Sequence, residues 1–121
     1  MVKKLVKDFL YPDLSYKIRG AFFNVYNILG FGHKEIVYKR ALAQELKKQN
    51  ISFETEKKLD VNYNGEKVGI YQPDFVVDGK IIVEAKAIPI VPKHLELQLS
   101  NYLKGTGFKL GFFVNFGSQR L

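Results

Sequence analysis

Two dipeptides constrain this chain more than any other feature: Asn64-Gly65 and Asp78-Gly79, each set between short apolar runs. Asn-Gly and Asp-Gly tolerate the positive φ angles that the tight turn of an antiparallel hairpin demands. They predict two hairpins, Lys58–Tyr63 with Glu66–Tyr71 and Asp74–Val77 with Lys80–Ala87. Ile51–Thr55 reads as a further strand. Phe108–Asn115 reads as the last, and its continuous apolar run from Leu110 to Val114 suits burial on both faces.

Elsewhere the apolar period is helical. Leu14, Ile18, Phe22, Val25 and Leu29 predict a helix capped by Asp13 or Ser15 and broken at Gly30-Phe31-Gly32. A second helix runs from about Lys34 to Gln49, with Ile36, Ala43 and Leu46 on its apolar face and Val37, Tyr38 and Leu42 widening it. A third runs from about Lys93 to Lys104, after Pro89 and Pro92, and closes at Gly105 and Gly107. Residues 1–10 read as a short helix or ordered arm carrying Lys3, Lys4 and Lys7. The condensed order is α-α-β-β-β-β-α-β, an α/β fold with one mixed β-sheet flanked by helices. At 121 residues the chain has the size of a single domain.

Composition narrows the function. Without Cys there are no disulfides, thiolate metal sites or cysteine nucleophiles, which suits a reducing, cytoplasmic setting. Lys7 and Asp8 interrupt the N-terminal apolar residues, so no export signal is read there, and no run is long enough to span a membrane. The net charge of +7 favours a polyanionic partner or serves solubility. Lys3, Lys4, Lys7, Lys17 and Arg19 are either a phosphate-binding stripe or a solvated basic face. His33 and His94, scattered and without Cys, read as surface residues rather than a zinc site.

The chemistry concentrates in Ile81–Ala87. Strand alternation puts Val83, Ala85 and Ala87 on one face and Ile82, Glu84 and Lys86 on the other. Opposite charges on an apolar strand face are costly unless paired, hydrated or metal-bound. With Asp74 one hairpin earlier, two carboxylates can hold a hard cation such as Mg²⁺, and an adjacent Lys can orient water or stabilise phosphoryl charge. A solvated strand face with a cross-strand salt pair is the plainer alternative.

Pro73-Asp74 followed by Glu84-Ala85-Lys86 resembles the signature of the PD-(D/E)xK nuclease superfamily, whose core is a mixed sheet flanked by helices. Gly32-His33-Lys34-Glu35-Ile36-Val37-Tyr38 is similar to the GxxExxY motif of a small prokaryotic family in that superfamily. Gln98-Leu99-Ser100-Asn101-Tyr102 resembles the QxxxY motif of lambda-type exonucleases and RecB-like nucleases. The likeness to GxxExxY proteins runs from about Leu14 to Gly117. It implies a nuclease that cleaves DNA with Mg²⁺ or Mn²⁺. Asp74 and Glu84 would be metal ligands, Glu35 the carboxylate a helix contributes, the Ala85 carbonyl a further ligand, and Lys86 the catalytic cation. Gln98 and Tyr102 would share a helix face toward Lys86 or the substrate backbone.

Other readings stand beside these. Glu35 also suits the first turn of any helix. Tyr38 reads as packing, and Gln98 and Tyr102 could be a polar edge and a core aromatic. The whole chain could instead be a binding module that retains the fold, or a subunit whose acids serve a homodimer or protein-partner interface.

Strand parity sets a condition on the shared site. A two-residue turn at Asp78-Gly79 would pair Val77 with Lys80 and send Asp74 to the face of Val83, away from Glu84. A three-residue loop, Val77-Asp78-Gly79, would pair Val76 with Lys80, set Gln72 opposite Glu84 and make Asp74 a diagonal neighbour of Glu84. A bulge at Pro73 is the fallback.

Overall fold

The computed structural model describes residues 2–6 and 10–121. Helix α1 spans Pro12–Leu29 and α2 spans Glu35–Lys48. Tyr38, Leu42 and Leu46 form the buried ladder of α2, whereas Ile36, expected on that face, is 48% exposed. The start of α1 also differs from expectation. Tyr11 occupies the cap position with no side-chain cap bond, Pro12 opens the first turn, and Ser15 is buried with its Oγ donating to the Leu10 carbonyl. Proline suits that position because its missing N–H would have had no helical partner.

Five strands follow α2, at the five places read as strands although the condensed order counted four: β2 (Phe53–Thr55), β3 (Leu59–Tyr63), β4 (Glu66–Tyr71), β5 (Phe75–Val77) and β6 (Ile81–Lys86). Helix α3 (Lys93–Thr106) then leads to β7 (Leu110–Asn115). The described part of the N-terminal arm is ordered, as a strand rather than a helix. Val2–Val6 form β1, antiparallel to β7, and give that buried strand partners for backbone groups it would otherwise leave unpaired. Lys7, expected on that arm, lies outside the described residues.

The main sheet has the order β1-β7-β6-β5-β2, and only β6 and β7 run parallel, joined across by α3. Strands β3 and β4 form a separate two-stranded sheet on the Asn64-Gly65 turn, where both residues have positive φ. The sheet is therefore mixed, as expected, but the first hairpin stands apart from it. All six residues of β7 are buried.

Each face of the main sheet has its own core. Ile81, Val83 and Ala85 of β6 join Leu110, Phe112 and Val114 of β7 against Ile18, Phe22, Val25, Leu42 and Leu46 of the first two helices. On the other face Ile82 and Phe113 meet Leu99 of α3 and Tyr71 of β4. Close packing here needs glycine. A Cβ on Gly105 would lie 2.7 Å from Val61 Cγ1, so this residue lets α3 settle on β3 rather than ending the helix, which closes instead at Gly107.

Candidate functional site

The register of β5 and β6 decides where the charges go. Val77 pairs with Ile81, Val76 with Ile82 and Phe75 with Val83. Asp78 and Gly79 both have positive φ, and Lys80 N–H donates to the Val77 carbonyl, as in a two-residue turn. The ladder nevertheless starts at Ile81, so Lys80 is the extra residue. The needed change of parity is present, but the expected pairing of Val76 with Lys80 is not. One rung beyond Phe75–Val83, Asp74 stands directly opposite Glu84 rather than diagonal to it.

Two hydrogen bonds fix that juxtaposition. The Asp74 N–H donates to Glu84 Oε1 at 2.7 Å, and the Ala85 N–H donates to Asp74 Oδ2 at 2.8 Å. Each carboxylate is thus held by the backbone beside the other. Pro73 is buried and has no N–H to leave unpaired.

Helix α2 supplies the remaining groups. Glu35 is its first residue, where the helix dipole favours a carboxylate, so the plain reading of its position is correct. It also joins the cluster. Lys39 Nζ lies 2.8 Å from Glu35 Oε2 and 2.7 Å from Asp74 Oδ1, while Lys86 Nζ is 4.0 Å from Glu35 Oε1. Tyr38 delivers Glu35 to this place. Fully buried, it donates its hydroxyl to the Gly30 carbonyl at 2.6 Å, accepts from the His33 N–H at 3.2 Å, and stacks on Phe116. The loop before α2 is thereby pinned to the core, and Tyr38 is a packing residue, as expected. His33 closes α1 through its ring nitrogen near the Leu29 carbonyl.

Helix α3 contributes less than its motif implies. Tyr102 stacks face to face on Tyr71 with ring centres 3.9 Å apart. Gln98 is exposed, and no hydrogen bond joins it to the cluster. Tyr71 is the link between α3 and the acids. It is 6% exposed, and its hydroxyl is buried beside Glu84 without a hydrogen bond of ordinary geometry.

The electrostatics follow from this crowding. Burial, and then the charge of Asp74, push Glu84 up to about 7, although the Asp74 N–H, Lys86 and Tyr71 pull the other way. Burial also lowers Lys39, but its bonds to Asp74 and Glu35 outweigh that and raise it to about 12. Tyr71 is driven well above the usual phenol range by burial and by Glu84. The cluster therefore resists carrying all its negative charge at once.

Among the described residues no three His, Cys, Asp or Glu side chains converge as a ready metal-binding group. Glu84 is held by the Asp74 backbone N–H, whereas Glu35 reaches Asp74 through the Lys39 ammonium. Sequence reasoning missed Lys39 and Tyr71. The signal for Lys39 was its i,i+4 spacing from Glu35, with the acid on the N-terminal side. The signal for Tyr71 was its place at the end of a strand leading into Pro73-Asp74.

Comparison with known proteins bears on the same elements. No curated protein and no solved structure matches the chain. A family model described as the PD-(D/E)XK nuclease superfamily matches residues 12–121. That match runs from the start of α1 past the end of β7 and takes in the three acids and two lysines of the cluster. The chain belongs to the PD-(D/E)XK nuclease superfamily.

Proposed function

We propose that this single domain is a GxxExxY-type nuclease that hydrolyses phosphodiester bonds in DNA, using Mg²⁺ or Mn²⁺, in the cytoplasm. The observation that carries the reading is the opposition of Asp74 and Glu84 across β5 and β6, with Lys86 on the same strand face. Nothing in folding requires two carboxylates to face each other there, and burial penalises it.

The donor chemistry suits a hard divalent cation. Asp74 and Glu84 offer carboxylate oxygens. The Ala85 N–H points at Asp74, and in a strand the carbonyl of the same residue points the same way, so its oxygen faces the acids too. The unpartnered Tyr71 hydroxyl beside Glu84 is a buried polar atom that a cation's water shell would satisfy. These groups would hold the ion, and when bound it would supply a water acidic enough to attack phosphorus.

The chain's own residues do the rest. Asp74 and Glu84 would fix the place of the ion beside Lys86. Lys86 sits where its ammonium can donate to a non-bridging phosphate oxygen as charge builds there. The Tyr71–Tyr102 stack holds the face on which Glu84 stands, and exposed Gln98 offers its amide to the substrate backbone. A chain of this size has little surface left for reading bases, so a second copy or a protein partner supplies specificity.

The test is incubation of the wild type and Asp74→Asn with linear, circular and branched DNA, and with RNA, in Mn²⁺ or EDTA. The expected result is DNA cleavage by the wild type in Mn²⁺ alone. Salt-sensitive binding without cleavage would make the chain a binding module instead.

A further inference from the structure

The Lys39 ammonium lies where the two parts of the acidic cluster meet. It bridges Glu35 Oε2 of α2 and Asp74 Oδ1 before β5, at 2.8 and 2.7 Å, with only 23% of the side chain exposed. An ordinary i,i+4 helix pair would end at Glu35. This one continues to a carboxylate on another element, and Asp74 already gives its other oxygen to the Ala85 N–H. Both Asp74 oxygens are therefore engaged while Lys39 stays in place.

We propose that Lys39 is a tethered counter-ion of the metal-free site, competing with a divalent cation for Asp74 and leaving it when the cation binds. The inference rests on the reading of Asp74 and Glu84 as metal ligands. Three carboxylates, Glu35, Asp74 and Glu84, belong to one cluster, and Lys39 and Lys86 are the cations that offset them. An ammonium and a hydrated divalent ion want the same oxygens, and at contact distance they repel each other strongly even near a protein surface. The lysine stem has four rotatable carbons, so its head can leave Asp74 while its backbone stays fixed in α2. The pair with Glu35 gives the head a place to remain. The bridge also accounts for the failure of Glu35, Asp74 and Glu84 to converge as a metal group: the ammonium stands between the first two.

The experiment is isothermal titration of Mn²⁺ into the metal-free wild type, Lys39→Met, Lys39→Gln and the double variant Lys39→Met with Asp74→Asn. Circular dichroism checks that each is folded, and the glutamine variant serves if the methionine one is not. Loss of the competing charge should tighten Mn²⁺ binding at least tenfold in either single variant, and Asp74→Asn should abolish the gain. Binding to Lys39→Met with none to the wild type would support the proposal in stronger form. Unchanged or weaker binding would overturn it and make Lys39 a strut that positions Asp74. Binding to neither protein would overturn it as well. A wild type that cleaves DNA in Mn²⁺ while Lys39→Met shows no tighter binding would leave the nuclease reading standing and remove this inference alone.

Discussion

The two faces of the main sheet are built to different standards, although the same strands make both. Toward α1 and α2, β6 presents Ile81, Val83 and Ala85 to a core that is apolar throughout and closed by Phe22, Phe112 and Phe116. Toward α3, the intervening residues are Ile82, Glu84 and Lys86, and only Ile82 joins a buried apolar cluster. One face secures the fold. The other keeps carboxylates close together against a burial penalty, the arrangement on which the proposed function rests.

Substitutions on the two faces should therefore fail in different ways. The largest stability effect belongs to the apolar side. Phe112→Ala leaves a cavity against Phe22 and should cost about 4 kcal/mol, read by urea unfolding. A loss below about 1 kcal/mol would mean that this face is not the principal core. The polar side should lose rate instead. Lys86→Ala should reduce single-turnover DNA cleavage on the order of 10²-fold while leaving DNA affinity nearly unchanged. If affinity and rate fell together, Lys86 would be a ground-state phosphate contact.

The smallest effect is one of pH, and it comes from the polar face alone. Glu84 holds its proton up to about 7 in the folded protein, whereas the unfolded chain releases it near 4.5. The folded state thus binds more protons between those values, and metal-free stability should fall as pH rises through that window. Glu84→Gln should remove this slope in a series of melting temperatures. A slope that survives in Glu84→Gln would assign the titration to another group.

Part of this division is legible in the sequence. The hairpin dipeptides, the helical periods and the alternation of charge in β6 are local properties, and they placed both turns, all three helices and the face shared by Glu84 and Lys86. The pairing of Asp74 with Glu84 is less local. Asp78-Gly79 forms the turn its sequence suggests, and yet Lys80 is left over, which no local rule dictates. Lys39 and Tyr71 were missed because their partners lie on other elements, and distance in the chain hides such pairs. The N-terminal strand escaped for a similar reason. Val2–Val6 has no strong strand signal of its own and takes its form from the open edge of β7.

The central claim is that Asp74 and Glu84 serve one cation between them. It is tested most directly by the Mn²⁺-induced rise in melting temperature of the wild type, Asp74→Asn, Glu84→Gln and the double variant. Ligands of a single ion are not additive. Each single substitution should abolish most of the rise, and the double variant should lose no more than either. A rise that persists in both single variants, or that divides into two independent halves, would contradict the shared site.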